Sequence, residues 1–428
     1  MKAVILAAGE GTRLKPITSS IPKPMLPFAG KPLLEHLILG LKQAGITDIL
    51  IIVGYKKEVI VDYFQNGQNL SVNIEYITQQ KYLGTAHATG YAKDFVKDDT
   101  FLMMYGDIVV DPEIFSKIVH SYQESETDGI ISLLSVDNPE SYGIIKLNSE
   151  NYVEKIIEKP SPDEDVGNLA NAGIYIFPSE IFQAIESTEL SERDEYELTD
   201  SIEHLINDLN KRVTGYTIED SYWNDIGLPW QLLEANEYIL NKISRDVQGS
   251  IEDNVIIKGK VHIGEGTVVR SGSYLKGPCF IGKNCLIGPN AFIRPGSCIQ
   301  DNCHIGISEI KNSIVLSNSN VPHFNYIGDS IICDNVNLGA GTKVANLRFD
   351  DSTVKVRVKN ELIDSERRKL GTIIGPNVKT GINVSIMCGK KIGQNARIGA
   401  QTLVLDDVPE NTLYYQDPED GIVKEEQK

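Results

Sequence analysis

Ile251-Glu252-Asp253-Asn254-Val255-Ile256-Ile257 begins the stretch that decides the fold of the second half of this chain, and Cys303-His304-Ile305 ends its most regular part. Between them Ile251, Ile257, Ile263, Val269, Leu275, Ile281, Ile287, Ile293, Ile299 and Ile305 recur at every sixth residue. With aliphatic residues at roughly one position in four, such a run arises by chance about once in a million. Glycine follows the aliphatic residue at Gly264, Gly282, Gly288 and Gly306. The fifth place of each hexapeptide is small: Thr267, Ser273, Cys279, Cys285, Ala291, Ser297, Cys303. This is the rhythm of a parallel β-helix. Cys279, Cys285 and Cys303 are thus small core residues. With Cys298, Cys333 and Cys388 they make six cysteines, none in a C-x-x-C pair. Free structural thiols are expected, not redox or zinc-binding ones.

The rhythm breaks twice. After Ile305 comes a stretch with Glu309-Ile310-Lys311-Asn312-Ser313 and Val321-Pro322-His323-Phe324-Asn325-Tyr326-Ile327-Gly328-Asp329. The period resumes at Ile332, Leu338 and Val344, then yields to a charged insert with Arg348, Arg357, Arg367, Arg368 and Lys369. A last set follows at Ile374, Thr380, Ile386, Ile392, Ile398 and Val404. A β-helix folds without loops, so the interruptions are where function is expected. The acidic, polar tail from Glu410 to Lys428 is expected to be mobile.

Working back from the repeats, Gln231 to Ile243 reads as a linking helix, and the chain before it changes character. Strand-like runs alternate with helical ones: Lys2–Leu6, Pro32–Ala44 (helix), Asp48–Val53, Glu58–Phe64 (helix), Asn73–Thr78, Ala86–Phe95 (helix), Thr100–Met104. That alternation predicts an α/β domain with a mainly parallel sheet covered by helices, whose ligands sit beyond the carboxyl ends of the strands. The expected domains are 1–230, a link over 231–249, the β-helix over 250–409 and the tail over 410–428. The 428 residues carry a net charge of −18, which disfavours nucleic acid and anionic membranes as partners and leaves anionic ligands to local cations. No apolar run approaches a transmembrane length, and the opening MKAVILAAGEGTR lacks a cleavable signal pattern. A cytoplasmic location is expected.

The first strand runs into Leu6-Ala7-Ala8-Gly9-Glu10-Gly11-Thr12-Arg13-Leu14, followed by Pro22-Lys23-Pro24-Met25. Small residues from Ala7 to Gly11 let backbone N–H groups approach a polyphosphate. Arg13 adds a planar cationic fork and Lys23 a point charge. Gln79 and Gln80 stand before Leu83-Gly84-Thr85-Ala86, and a glutamine amide suits the edge of a pyrimidine base. Phe101 to Gly106 is an apolar strand that delivers Asp107, a carboxylate able to hold Mg²⁺ on a triphosphate.

The string Gly9-x-Gly11-Thr12-Arg13 with Pro22-Lys23-Pro24 resembles the signature of sugar-nucleotide pyrophosphorylases, which join a sugar 1-phosphate to a nucleoside triphosphate. That resemblance implies a Rossmann-like fold in which Leu6, Ala8, Gly9, Gly11, Thr12, Gln79, Gly84 and Thr85 bind the nucleotide. It selects Gln79 over Gln80 as the base reader, makes Arg13 and Lys23 catalytic, and pairs Asp107 with Asp225 as ligands of Mg²⁺. Gly143, Glu158, Lys159 and Asn171 would face the sugar phosphate.

The second half, breaks included, resembles the acetyltransferase half of the bifunctional N-acetylglucosamine-1-phosphate uridylyltransferase/glucosamine-1-phosphate acetyltransferases in their archaeal variant. This implies left-handed winding, UTP (or dTTP) and acetyl-CoA as co-substrates, and a homotrimer that shares its acetyl sites. His323 would be the general base, with Arg294, Lys311, Tyr326, Asn337 and Asn346 on the amino-sugar phosphate and Ala340 and Ala400 as backbone contacts to acetyl-CoA. The charged insert departs from the bacterial version and leaves open which cation meets the acyl carrier. Three alternatives share these motifs: a monofunctional thymidylyl- or uridylyltransferase with a structural or regulatory β-helix, a non-catalytic scaffold, and a metal enzyme using His262, His304 and His323.

Overall fold

The computed structural model describes residues 1–158, 160–161, 166–417, 419 and 421–426. They fall into two compact units. One comprises Met1–Glu10, Pro22–Met25 and Leu33–Asp225; the other comprises Gly11–Ile21, Leu26–Pro32 and Ile226–Lys428.

The first unit is built around Lys2–Ala7, whose neighbours on both sides run parallel to it: Ile5 is in register with Ile51 of Asp48–Val53 and with Met104 of Phe101–Tyr105. A strand buried on both faces should be apolar throughout, and Ala3, Val4 and Ile5 are fully buried. The two-residue period assigns the faces. Ala3, Ile5 and Ala7 pack with Leu34, Ile38, Ile60 and Phe115, from helices Leu33–Gln43, Lys57–Phe64 and Glu113–Glu124. Val4 packs with Phe182 and Ile202, from helices Ile181–Ser187 and Leu198–Asn207. The sheet runs Val153–Glu158, Gly143–Leu147, Leu169–Phe177, Phe101–Tyr105, Lys2–Ala7, Asp48–Val53, Asn73–Thr78. Its parallel half is the part expected from the alternation. The other half is antiparallel, entered through Leu169–Phe177. The single helix expected over Ala86–Phe95 is instead two short ones, Thr85–Gly90 and Lys93–Val96, interrupted after Gly90, a residue with little helix propensity.

The second unit is a parallel β-helix. Strands of successive coils pair in parallel register, Val268 with Leu286, Tyr274 with Phe292 and Cys279 with Ser297. The six-residue row from Ile263 to Ile305 is fully buried, as are Ile332, Ile374, Ile392 and Val404 further on. Ile251, counted in that row from the sequence, is 38 % exposed because no earlier coil covers it. The coil corners are asparagines in the left-handed region (Asn284, Asn290, Asn302, Asn395), a conformation this side chain tolerates. Asn377, Asn395 and Asn411 stack by side-chain hydrogen bonds of 3.0 and 2.8 Å. All six cysteines are free thiols, and burial pushes the Cys279 and Cys298 thiols up to about 12, which leaves them inert.

The breaks have structure of their own. The first is a pair of longer parallel strands, His304–Lys311 and Asn320–Gly328, with a register shift between Ile307 and Glu309. The second is an antiparallel hairpin, Lys355–Val358 with Glu361–Asp364, whose Val356 and Val358 are buried. The tail expected to be mobile also forms a hairpin. Thr412–Asp417 pairs with Gly421–Glu426 and also lies parallel to the coil strand at Arg397–Ile398. Tyr414 fills the end of the core and is fully buried, so the tail closes the helix.

Candidate active sites

The loop after the first strand, the start of the helix at Thr85 and the end of the strand at Tyr105 converge on a cavity of about 400 Å³. It is lined by Leu6, Ala8, Gly9, Gln79, Gly84, Thr85 and Asp107 among others. Six of the eight residues expected at the nucleotide line this one cavity. A Cβ at Gly9 would meet nothing within 4 Å, so the backbone there is open to a ligand. Gly84, at φ +102°, presses on Tyr196, whose carbonyl oxygen would lie 2.5 Å from any Cβ there. The Thr85 hydroxyl accepts from the Leu198 N–H at 3.1 Å. Gln79 is buried, with its Nε2 3.4 Å from His87 Nδ1. Burial and the nearby Lys81 charge push His87 down, so it is neutral at pH 7. Its Nδ1 then accepts from the amide and leaves the Gln79 carbonyl oxygen to face a base N–H. His87 was not foreseen from the sequence; its spacing from Gln79 was the available signal. Gly11, Thr12 and Arg13 belong to the second unit. Gly11 is left-handed at φ 66°, Thr12–Leu14 is a 3-10 turn, and Thr18 Oγ1 donates to the Gly11 carbonyl at 3.0 Å.

Lys23 is buried and its Nζ lies 2.5 Å from Asp107 Oδ2. Asp225 reaches the same place by a strand ladder: Trp223–Asp225 pairs antiparallel with Ile108–Val110, setting Asp225 opposite Ile108, the neighbour of Asp107. Directly opposed residues in such a ladder lie about 5 Å apart. Two carboxylates from adjoining strands, beside a buried lysine that restrains one of them, fit the hard-oxygen shell of Mg²⁺ completed by phosphate. On the sugar side, Glu158 lies over Gly143, its Oε2 2.8 Å from where a Cβ would stand. Arg193 joins Glu158 (3.2 Å) to Glu197 (2.8 Å), a guanidinium the sequence reading passed over because Ser-Glu-Arg-Asp-Glu looks like solvated surface. Asn171 is engaged at both ends, donating to the Tyr175 hydroxyl at 2.7 Å and accepting from the Gly173 N–H at 3.0 Å. Lys159 lies outside the described residues.

In the β-helix, parallel pairing gathers most of the expected acetyl-site residues. His323 stands opposite Ile307, Tyr326 opposite Glu309, and Ile293, beside Arg294, opposite Ile310, beside Lys311. Both cations are ion-paired: Arg294 with Glu309 at 2.7 Å, Lys311 with the buried Asp329 at 2.7 Å. Asn346 donates to Asp329 (2.5 Å) and to the Tyr326 hydroxyl (3.3 Å). Asp329 therefore organises Lys311, Asn312 and Asn346 together, and it was not among the residues expected there. His323 is exposed and close enough to His304 for its charge to lower that residue's pKa, after burial. Asn337 bridges Asn320 on one side and Lys379 on the other. Ala340 accepts from the Asn383 N–H at 2.7 Å, and Ala400 packs on Gly381, so the two alanines mark one edge of the helix on different coils. In the insert, Arg348 pairs with Asp350, Arg367 with Glu234 and Arg368 with Asp351.

Fold and pocket together define a nucleotidyltransferase domain followed by a hexapeptide-repeat β-helix. Residues 2–242 match the family model described as nucleotidyl transferase, and 275–367 match that of the GMPPB C-terminal domain. The solved structure of a UDP-glucose pyrophosphorylase complexed with UDP-glucose is similar at TM-score 0.51 and 26% identity, over 56% of this chain and 98% of that one. Over its full length the chain belongs to the bifunctional GlmU family. It is 46% identical to the bifunctional protein GlmU of Methanocaldococcus jannaschii, over 97% of this chain and 98% of the relative. It is 43% identical to the bifunctional sugar-1-phosphate nucleotidylyltransferase/acetyltransferase of Sulfurisphaera tokodaii, over 95% and 98% respectively.

Proposed function

We propose that this chain carries out two steps of nucleotide-sugar synthesis. It acetylates glucosamine 1-phosphate with acetyl-CoA, and it joins N-acetylglucosamine 1-phosphate to UTP, releasing pyrophosphate. The observation that carries the reading is the ladder that sets Asp225 opposite Ile108, next to Asp107 in the lining of the Gly9–Gln79 cavity, in a chain with a full-length relative named bifunctional sugar-1-phosphate nucleotidylyltransferase/acetyltransferase.

In the nucleotidyl step an oxygen of the sugar phosphate attacks the α-phosphorus of UTP and pyrophosphate leaves. Gln79 reads the base, Gly9 and its neighbours give N–H groups to the phosphates, and Arg13 meets charge that grows as the bond to pyrophosphate breaks. Lys23 holds the Asp107 carboxylate in place. Asp107 and Asp225 would hold Mg²⁺, which would supply neutralisation of phosphate charge. Glu158, Lys159 and the Gly143 backbone take the sugar phosphate; the Arg193 bridge fixes Glu158. No covalent intermediate is needed, so positioning and electrostatics supply the rate. In the acetyl step the amino nitrogen attacks the thioester carbonyl carbon and loses a proton to His323, and CoA leaves as the thiol. Arg294, Lys311, Tyr326, Asn337 and Asn346 hold the amino-sugar phosphate, and Ala340 and Ala400 bond acetyl-CoA through their backbones. A homotrimer in the cytoplasm completes the reading, with Phe324, 64 % exposed beside His323, covered by a neighbouring copy.

The test is a matched pair of assays, pyrophosphate release and acetyl-CoA turnover, on wild type, Asp107→Asn and Asp225→Asn. Each aspartate variant should lose about 100-fold or more in pyrophosphate release while keeping acetyl transfer. Near-normal release at saturating Mg²⁺ would sink the proposed metal site.

A further inference from the structure

Residues 11–21 and 26–32 come from the start of the chain, yet they pack within the β-helix unit, and their anchors climb one sheet of that helix in order. Gly30 lies under the Phe280 ring, whose Cζ would stand 2.5 Å from any Cβ added there. The Ala29 backbone N–H faces the Cys298 thiol. Ser20 Oγ donates to Asp334 Oδ2 at 3.3 Å. Pro16 sits on Gly375, where a Cβ would come within 2.9 Å of the proline's own. Phe280 and Cys298 belong to the adjacent strands Cys279–Ile281 and Ser297–Ile299. Asp334 follows Ile331–Ile332, and Gly375 follows Ile373–Ile374, in the same sheet. Strands stack about 4.8 Å apart, so the segment is pinned along roughly 20 Å of the face. It is not lying loosely there, since Leu14, Ile17, Leu26 and Phe28 are all buried.

We infer that this sheet is the template that sets the conformation of the Arg13 segment, and that Ser20 and Asp334 are positioning residues for nucleotidyl transfer. The inference rests on the reading of Arg13 as a phosphate-binding group. The connection is short. Thr18 holds the Gly11 carbonyl, Leu14 and Lys15 close their turn on Gly11 and Thr12, and Ser20 ties the end of this stretch to Asp334. Asp334 is mostly withdrawn from water, and burial pushes its carboxyl up while the Ser20 bond works against that rise. Such a group is a fixed acceptor that does not wander.

The experiment uses the full chain with Ser20→Ala, Asp334→Ala, the double variant, Asp334→Asn and Arg13→Ala. Ser20→Ala and Asp334→Ala should each lower kcat/KM for UTP roughly three- to tenfold, the loss of one restraining hydrogen bond. KM for the sugar phosphate should stay unchanged. The double variant should fall no further than Asp334→Ala, since the two share one bond. Asp334→Asn, whose amide oxygen still accepts, should stay within about twofold of wild type. Ser20→Ala should keep its thermal midpoint and its acetyl transfer, which separates positioning from a general loss of structure. Unchanged UTP kinetics in both single variants, or fully additive losses in the double, would overturn the inference. Normal uridylyl transfer by Arg13→Ala would instead overturn the phosphate reading beneath it.

Discussion

At the scale of single residues, the neutral His87 beside Gln79 gives a pH dependence with a definite sign. Its pKa lies below the ordinary histidine value, so the ring accepts from the Gln79 amide throughout the neutral range. As pH falls through that lowered pKa the ring gains a proton, its Nδ1 becomes a donor, and two N–H groups face each other. KM for UTP should be flat from neutral pH upward and should rise in acid. His87→Ala should raise KM at neutral pH and remove the additional acid rise; the difference between the two profiles isolates this ring from titration of UTP itself. Parallel profiles would reject the orienting role. His323 answers a different test. Its substitution by alanine should cut acetyl transfer by roughly 10²- to 10⁴-fold, the range of a positioned general base. Normal acetylation by that variant would remove it from the mechanism.

At the scale of elements, the repeat was readable because each coil contributes the same buried row, so ten separate residues report one fact. The first three parallel strands were readable for a related reason: a strand buried on both faces is a plain apolar run, as at Asp48–Val53. What escaped depended on partners far away in sequence. Glu309 and Asp329 look like ordinary loop carboxylates until parallel pairing sets them on Arg294 and Lys311. The closing hairpin escaped because its polar composition masks Leu413-Tyr414-Tyr415 and Ile422-Val423, two short apolar signals that become strands only when laid on the last coil. Tyr414→Ala removes the plug at that end and should destabilise the β-helix by about 3 kcal/mol, the usual loss for a buried aromatic side chain. Chemical denaturation followed by acetyl transfer would read it. An unshifted midpoint would mean the hairpin lies on the core without sealing it.

At the scale of the whole molecule, Asp107 and His323, the groups proposed for the two chemistries, lie in different compact units, so their losses should separate. His323→Ala should leave uridylyl transfer to pre-acetylated sugar phosphate untouched, and Asp107→Asn should leave acetylation untouched. A variant that silences both at once without unfolding would contradict independent sites. The β-helix also has two unlike ends. The last coil is sealed by Tyr414 and its hairpin, whereas the first leaves Ile251 and Ile256 at 38 % and 48 % exposure. Coils touch only their neighbours, so disorder spreads along the axis like a zip that must start at a free tab. Under tension, or during slow amide exchange, this zip has a direction: it opens at the Ile251 end and travels toward Tyr414, reaching the strand that carries His323, the fifth of eight along its sheet, only after the coils before it have come apart.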